Sequence, residues 1–272
     1  MTDQAAIDPW ELPPLRFWQP RMLWRYLLIL PFKLLIVAPI VLATTFGYIY
    51  LLPFKLRIAH RIHSLTFICW RLFLGIKLEV EDRRADPTKM AKIAVFNHAS
   101  YIDGFIVGSI IYKFRTIAAS WAFHAPLYGA WLKASNSIPL YRDKKNRNIA
   151  AQIHEDTSDY TITLTPEGTM TNGKGIIKFR TGAFIGKTAV QPIVFQYQNA
   201  KFNNCWIKST SPMWKHLLMT ISQTRNPVRV CLLPTYVPSE EELADPKLFA
   251  ENVRRTISKA SGLPLIDATY KD

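Results

Sequence analysis

Residues 34–54 form an uncharged apolar stretch that limits the possible folds of this chain more than any other feature. The stretch reads LLIVAPIVLATTFGYIYLLPF, and its 21 residues carry no charged side chain. As a helix rising about 1.5 Å per residue, it would just cross a hydrocarbon core of about 30 Å. Asp3, Asp8 and Glu11 make the first residues of the chain acidic, and the apolar run starts late, which does not fit a cleaved signal peptide. We therefore predict a membrane-embedded segment.

Both flanks of this stretch are basic, so the positive-inside rule gives no orientation. Arg25 and Lys33 precede it, and Lys55 and Arg57 follow it. Helix-breaking residues lie within or beside it, namely Pro31, Pro39, Gly47 and Pro53. These residues would permit a bent pair of short helices that enters and leaves the bilayer on one face. A re-entrant hairpin explains two basic flanks better than a single straight span does.

The next segment, LRIAHRIHSLTFICWRLFLG, mixes arginines with a heavily apolar remainder. This pattern is typical of a helix lying at the membrane interface, and an ordinary buried helix is the alternative. We therefore divide the chain into an N-terminal tail (1–21), membrane-embedded and interfacial helices (22–75) and a catalytic-sized domain (76–272).

Charge and hydrophobic content together restrict the kind of partner. The formal net charge is +14, while 49% of the residues are hydrophobic. A chain that is both basic and apolar suits an anionic membrane surface or an anionic substrate. The sequence lacks long Lys/Arg blocks, zinc patterns and RNA-binding aromatic motifs, so we do not expect a nucleic-acid partner.

Cysteine and histidine spacing argues against disulfides and metals. Cys69, Cys205 and Cys231 are odd in number and widely spaced, which implies no disulfide framework and favours a reducing compartment. His60 and His63 could form a helical pair, yet no third ligand has recognisable spacing. We expect neither a metal site nor a resident cofactor.

Beyond Gly75, short apolar runs alternate with longer helical patterns, which predicts an α/β fold. Strands are predicted at 77–81, 92–96, 115–119, 160–165, 190–197 and 228–233. Helices are predicted at 103–113, 124–133, 146–155 and 240–260.

The predicted strand 92–96 ends in NHASYID, which places a histidine where α/β sheets present reactive groups. If the following residues turn into a helix, Asp103 comes within hydrogen-bonding reach of His98 and orients its imidazole as a base. A serine nucleophile is the rival, but no G-x-S-x-G elbow occurs in the chain. A capped loop histidine is the non-catalytic alternative.

Two further stretches contain groups suited to an anion. SNSIPLYRDKKNRN places Tyr141 and Arg142 after an apolar run, where a guanidinium can hold phosphate, although a solvated basic loop would look the same. TITLTPEGTMTNGKG places Glu167, Gly168 and Thr169 in a turn whose N–H groups could face an anion, or which is a plain surface turn.

The same stretch contains a P-loop-like spacing of Gly168, Gly173 and Lys174. Residue 175, however, is glycine rather than the serine or threonine that would hold magnesium. Four glycines in GKGIIKFRTGAFIG also disfavour the required helix. We do not expect nucleotide hydrolysis.

Taken in order, NHASYID, IPLYR, PEGT and VQPI resemble the four sequence blocks of the glycerolipid acyltransferase family. Within that family the chain looks most like lysophosphatidylcholine and lysophosphatidylethanolamine acyltransferases, over roughly residues 76–272. The resemblance implies a mixed β-sheet flanked by helices, with the N-terminal membrane-embedded helical segment in front of it.

The resemblance also implies an activity, in which a fatty acyl group moves from acyl-coenzyme A, a co-substrate, to the free hydroxyl of a lysophospholipid. His98 would be the general base and Asp103 its orienting partner, with backbone donors near His98 as candidates for the oxyanion site. The substrate-binding residues implied are Asn97, Tyr141, Arg142, Glu167, Gly168, Thr169, Lys174, Lys178, Arg180 and Pro192. No acyl-enzyme is required.

One departure from the family concerns the residue after EGT, where many members have arginine and this chain has Met170. The missing phosphate contact could come from Lys174, Lys178 or Arg180, and the change favours phosphodiester acceptors over lysophosphatidic acid. Lysophosphatidic acid or glycerol-3-phosphate remains an alternative acceptor, and a catalytically silent lipid-binding membrane protein is the alternative of another class. The resemblance implies the endoplasmic reticulum or a related endomembrane, with the catalytic domain facing the cytosol, and no EF-hand loop is present.

Overall fold

The computed structural model describes residues 7–51, 57–141, 149–186, 188–199, 202–207 and 209–270. Within them, seven strands form one sheet in the order β1-β7-β6-β2-β5-β3-β4. The strands are β1 (Ile76–Asp82), β2 (Ile93–Phe96), β3 (Phe114–Ala119), β4 (Ile138–Leu140), β5 (Thr161–Leu164), β6 (Val190–Tyr197) and β7 (Asn226–Leu232). Neighbours run parallel, except that β6 and β7 are antiparallel. The predicted mixed α/β sheet is confirmed.

Helices cover the sheet and extend before it. They are α1 (residues 20–51), α2 (Arg57–Leu74), α3 (Asp103–Ile110), α4 (Tyr128–Ala134), α5 (Ile149–His154), α6 (Met213–Ser222), α7 (Glu240–Ala244) and α8 (Pro246–Ser261), with 3₁₀ turns at Ser120–His124 and Thr181–Ala183. The six predicted strands agree with the structure to within two residues. Strand β4 and helix α6 were not predicted.

The predicted helix 240–260 is divided into α7 and α8, because Asp245 caps the N-terminus of a second helix that begins at Pro246. The Asp245 carboxylate accepts the backbone N–H of Lys247 at 2.8 Å, and Pro246 is the first residue of α8. Proline at the first helical position ends a preceding helix and begins the next.

Helix α1 runs without a break from Pro20 to Leu51, so the predicted bend inside residues 34–51 is wrong. Two π-helical turns, Arg25–Ile29 and Lys33–Val37, each end two residues before a proline, Pro31 or Pro39. A widened turn accommodates the missing N–H and the ring of a proline without breaking the helix.

Helix α2 returns along α1, and the two form an antiparallel hairpin. The Thr66 hydroxyl donates to the Thr44 carbonyl at 3.0 Å, and His63 Nδ1 lies 3.0 Å from the Tyr48 hydroxyl. Later residues of α1 thus meet earlier residues of α2. Residues 52–56, between the two helices, lie outside the described residues, and re-entry of this segment into a membrane stays a prediction.

Large apolar side chains cover the outer face of the hairpin. Leu27, Leu35 and Phe46 on α1 and Leu72 on α2 are each more than half exposed. Met22–Leu51 is one helix of 30 residues that is long and apolar enough to cross a membrane. Contiguous exposed apolar surface of this kind needs a nonaqueous neighbour.

Strand β2 lies at the centre of the sheet, with alternate side chains in two cores. Ala94 and Phe96 pack with the hairpin on one face, whereas Ile93 and Val95 pack with α8 on the other. All four residues are buried. The chain after Phe96 therefore leaves the core at the carboxyl end of a fixed central strand, where a polar site can form.

Candidate active site

His98 and Asp103 form a hydrogen-bonded pair at the carboxyl end of β2. Asp103 begins helix α3, and its Oδ2 lies 2.6 Å from His98 Nδ1. The aspartate side chain is 2% exposed and the histidine side chain 23% exposed. The pair thus has a buried carboxylate and an imidazole that reaches solvent, which is the arrangement predicted for a base and its orienting partner.

Backbone donors fix the tautomer of His98. Asp103 Oδ2 also accepts the N–H groups of Ala99 and Ser100, each at 3.2 Å. A carboxylate oxygen held by two N–H donors is an acceptor, so Nδ1 of the neutral imidazole must carry the proton. Nε2 is then the unprotonated nitrogen and can accept a proton from a substrate.

The backbone N–H groups closest to the histidine are already used. Those of Ala99 and Ser100 bind Asp103, and that of His98 donates to Glu167 Oε2 at 2.5 Å. The N–H groups of residues 98–100 are therefore paired within the protein, and the location of the oxyanion donors expected near His98 stays a prediction.

Glu167 supports the histidine loop from inside the protein. Its carboxylate is fully buried, and Oε1 accepts the Ile177 N–H at 3.3 Å. Burial raises the pKa of Glu167 to about 8, against the backbone N–H donors of His98 and Ile177, which lower it. Both carboxyl oxygens therefore accept backbone N–H groups, and the role of the Glu167–Thr169 turn in binding a substrate phosphate stays a prediction.

The turn after Glu167 lies beneath an arginine. Gly168 has φ +74°, and a Cβ there would come within 2.9 Å of Arg180 Cδ. The Arg180 guanidinium is exposed and lies 4.8 Å from the ring centroid of Tyr270. Arg180 is thus the predicted basic residue that the structure brings to the Gly168–Thr169 turn.

The other predicted basic residues lie apart from this turn. The Lys178 ammonium pairs with Asp267 near the C-terminal end of the described chain, and Lys174 is exposed beside a polar cavity. Tyr141, just after β4, is 51% exposed. Arg142 and the rest of the basic sequence 142–148 lie outside the described residues.

Two predicted substrate contacts are placed inside the sheet instead. The buried Asn97 amide donates to the Phe195 carbonyl at 2.9 Å and accepts the Phe195 N–H at 2.8 Å, so it ties β2 to β6. Pro192 is buried in β6, paired with Val95. Both side chains are buried, and their predicted contact with a substrate stays a prediction.

Three further residues stabilise the site, and the sequence analysis did not predict them. The Tyr197 hydroxyl donates to Asp103 Oδ1, and the Thr171 N–H donates to the His98 carbonyl at 2.9 Å. The Asn172 amide holds the carbonyls of Asp8 and Glu11 at 2.7 and 3.0 Å. Only the neighbouring PEGT and VQPI motifs pointed to these stretches.

An apolar pocket of about 130 Å³ lies between the α1–α2 hairpin and helices α3 and α4. Tyr101 and Gly104, which lie close to Asp103 in the sequence, are among its lining residues. Its lining residues are Thr45, Tyr48, Thr66, Phe67, Trp70, Tyr101, Gly104, Phe105, Pro126, Leu127, Tyr128 and Trp131.

Residues 77–196 match the sequence profile of a family described as acyltransferase. These residues form an acyltransferase family domain. Lysophosphatidylcholine acyltransferase 1 of Danio rerio is 35% identical over 201 residues, which cover 72% of this chain and 38% of that protein. Lysophospholipid acyltransferase LPEAT1 of Arabidopsis thaliana is 33% identical over 189 residues, covering 65% of this chain and 46% of that protein. The predicted family resemblance is confirmed.

The acyltransferase domain also has the fold of a solved relative. The crystal structure of the 1-acyl-sn-glycerophosphate acyltransferase PlsC from Thermotoga maritima superposes with a TM-score of 0.57 at 17% identity, covering 88% of this chain and 97% of that one. This likeness concerns the fold. The chain spans less than half the length of the curated relatives it matches.

Proposed function

We propose that this protein is a membrane-bound acyltransferase that moves a fatty acyl group from acyl-coenzyme A to the free hydroxyl of a lysophospholipid. The observation that carries the proposal is the His98–Asp103 pair, exposed on the histidine side at the end of the central strand. Lysophosphatidylcholine or lysophosphatidylethanolamine is the favoured acceptor. The similar proteins named lysophosphatidylcholine acyltransferase and lysophospholipid acyltransferase support a lysophospholipid, and the ethanolamine lipid is carried by the family resemblance.

The mechanism follows from the tautomer of His98. Nε2 removes the proton from the lysolipid hydroxyl, and the oxygen attacks the thioester carbonyl. The tetrahedral intermediate collapses, the carbon–sulfur bond breaks, and the thiolate of coenzyme A leaves. Asp103 holds Nδ1–H throughout and stabilises the imidazolium that forms. No covalent enzyme intermediate and no resident cofactor take part.

The apolar pocket is a suitable site for the acyl chain. Thr45, Tyr48 and Trp70 of the hairpin line one side, so a chain leaving the bilayer could enter without crossing water. Its volume of about 130 Å³ is below the ~300–1,000 Å³ of most ligand pockets. Only part of a fatty chain would be enclosed, and the rest would lie along the exposed hairpin.

The acceptor phosphate has a candidate partner in Arg180. Its exposed guanidinium lies over the Gly168–Thr169 turn, where Met170 supplies no cation of its own. Arg142 is the second proposed contact, carried by the family resemblance. Both would hold a phosphodiester through charge-assisted hydrogen bonds.

Thiol release from oleoyl-coenzyme A by detergent-purified protein tests the proposal, with lysophosphatidylcholine, lysophosphatidylethanolamine, lysophosphatidic acid or no acceptor added. His98→Ala should lower acceptor-dependent release at least about 1,000-fold, because it removes the base. His124→Ala, which changes an exposed histidine in the 3₁₀ turn, should keep full activity.

The outcomes separate the alternatives. Release that depends on lysophosphatidic acid alone would favour that acceptor, and glycerol-3-phosphate is tested in the same series. Acceptor-independent release would mean a thioesterase. Binding of lysolipid without any release would favour a silent lipid-binding membrane protein. We place the enzyme in the endoplasmic reticulum or a related endomembrane with its catalytic domain in the cytosol, which immunolocalisation after selective permeabilisation tests.

A further inference from the structure

The two oxygens of the Asp103 carboxylate are held in different ways. Oδ2 accepts three donors, which are His98 Nδ1 and the backbone N–H groups of Ala99 and Ser100. Among the described residues, Oδ1 accepts the hydroxyl of Tyr197. Because the aspartate is buried, this hydroxyl satisfies an oxygen that has almost no contact with bulk water.

Tyr197 keeps its proton over the whole working pH range. Burial, together with the nearby Asp103 carboxylate, raises its pKa well above the ordinary value for tyrosine. A neutral phenol beside a carboxylate can only donate, so the direction of this hydrogen bond is settled. The residue ends β6, 94 positions from Asp103, and β6 pairs directly with β2.

We propose that Tyr197 is a positioning residue for the catalytic base, and that its hydroxyl, bound to Asp103 Oδ1, weakens the attraction of that carboxylate for a protonated His98. The proposal rests on the proposed function only for its kinetic consequence. It goes beyond the His98–Asp103 pair because it adds a third side chain, from a different strand, to the unit that controls the proton.

The sign of the effect follows from charge. A hydrogen bond from Tyr197 draws electron density from the Asp103 carboxylate and weakens its attraction for a protonated His98. Without the hydroxyl, the carboxylate attracts the imidazolium more strongly. Neutral His98 would then appear only at higher pH, and the acid limb of the rate profile would move upward.

Other titratable groups near the pair must be considered. Glu167 approaches from the turn after β5, and Cys205 approaches from the loop 202–207, where burial raises its pKa to about 12. Tyr101 and His216 form a second hydrogen-bonded pair behind the loop, 3.0 Å apart. None of the four contacts Asp103 Oδ1, so substitution of Tyr197 changes one donor at one known atom.

A cavity of about 410 Å³ beside Tyr197 could supply a water molecule that replaces its hydroxyl in a variant. Tyr197 and Ala99 line it, with Lys174, Asn203 and Cys205 among the other residues. In a phenylalanine variant, water from this cavity could reach Oδ1 and restore the lost hydrogen bond. The proposal requires that this replacement is incomplete.

The first experiment is an NMR titration of ¹³C-labelled histidine in the full-length protein in detergent, with the His98 signal identified from a His98→Gln sample. Tyr197→Phe should raise the midpoint of the His98 titration by about half a unit or more. Tyr236→Phe is the matched control, since Tyr236 also donates to a carboxylate, Glu242 Oε1, at 2.6 Å, away from the site. This control should leave the midpoint unchanged.

A second variant keeps the proposal testable if Tyr197→Phe fails to fold. Fluorotyrosine at position 197 is a stronger donor of nearly the same shape, so it should move the midpoint in the opposite direction, downward. An unchanged midpoint in either folded variant would overturn the proposal, as would a loss of activity with an unmoved rate profile. The titration needs no substrate, so it remains valid even if the proposed acyl transfer is not observed.

Discussion

At the scale of single residues, the site depends on buried carboxylates that accept backbone N–H groups. Asp103 binds two such groups and Glu167 binds two, and together they hold the His98 loop against the end of β2. The sequence predicted the histidine and its aspartate because they are five residues apart. It could not predict Tyr197 as their partner, because that contact depends on the pairing of distant strands.

Glu167 should make the stability of the protein depend on pH. Burial raises the pKa of this carboxyl from 4.5 to about 8, so the folded state holds the proton more tightly than the unfolded state. Its contribution to the free energy of unfolding therefore falls as the pH rises from about 4.5 to about 8, and is constant above that. Thermal unfolding in detergent at pH 5 and pH 8.5 measures this fall.

Glu167→Gln removes the titrating group, so the difference in Tm between the two pH values should shrink. The variant is expected to be less stable overall, because an amide cannot accept both backbone N–H groups. Glu240→Gln, on an exposed glutamate of α7, should keep the wild-type difference. An equal pH difference in wild type and Glu167→Gln would contradict the expectation.

At the scale of elements, the local pattern of apolar and polar residues predicted the strands. The elements that were not predicted depend on contacts between distant parts of the chain. Strand β2 is an apolar run bounded by polar residues, so it could be read directly. Helix α6 packs against the N-terminal helix α1. The Lys33 ammonium of α1 donates a hydrogen bond to the backbone carbonyl of Gln223, the C-cap residue of α6, at 2.8 Å. That contact joins residues 190 positions apart and leaves no local signal.

The packing of α2 against α3 can be tested with two glycines of the same helix. A Cβ at Gly108 would come within 1.9 Å of the Phe67 ring, whereas one at Gly104 would meet its nearest atom, the Tyr128 hydroxyl, at 3.9 Å. Gly108→Ala should lower the free energy of unfolding by about 1–3 kcal/mol through overpacking. Gly104→Ala should be neutral or stabilise by up to about 1 kcal/mol, because alanine favours helix.

Chemical or thermal denaturation in detergent, followed by circular dichroism, measures both variants. Adding Phe67→Leu to Gly108→Ala should restore part of the loss, because the smaller side chain frees space for the new methyl group. If the two alanine variants were equally stable, the close approach of α2 to α3 would be wrong.

At the scale of the whole molecule, the apolar hairpin and the aromatic residues at its start define an orientation. Phe17 stacks on Tyr26 with ring centroids 5.0 Å apart and meets Trp18 and Trp214 edge to face. Trp18 is 78% exposed and Trp214 57% exposed. Since α1 begins beside this cluster, we expect its tryptophans to lie at the level of the lipid headgroups if α1 enters a bilayer, as aromatic belts do.

Brominated phospholipids should therefore quench the fluorescence of Trp18 and Trp214 in protein reconstituted into vesicles. The chain has eight tryptophans, so the measurement compares variants rather than total signals. The double substitution of Trp18 and Trp214 by phenylalanine should remove a larger share of the quenchable fluorescence than Trp206→Phe, because Trp206 is 6% exposed and hydrogen bonds to the Ser211 carbonyl inside the protein. If the double variant lost no more quenchable fluorescence than Trp206→Phe, the cluster would lie in water. The domain would then have a different orientation on the bilayer.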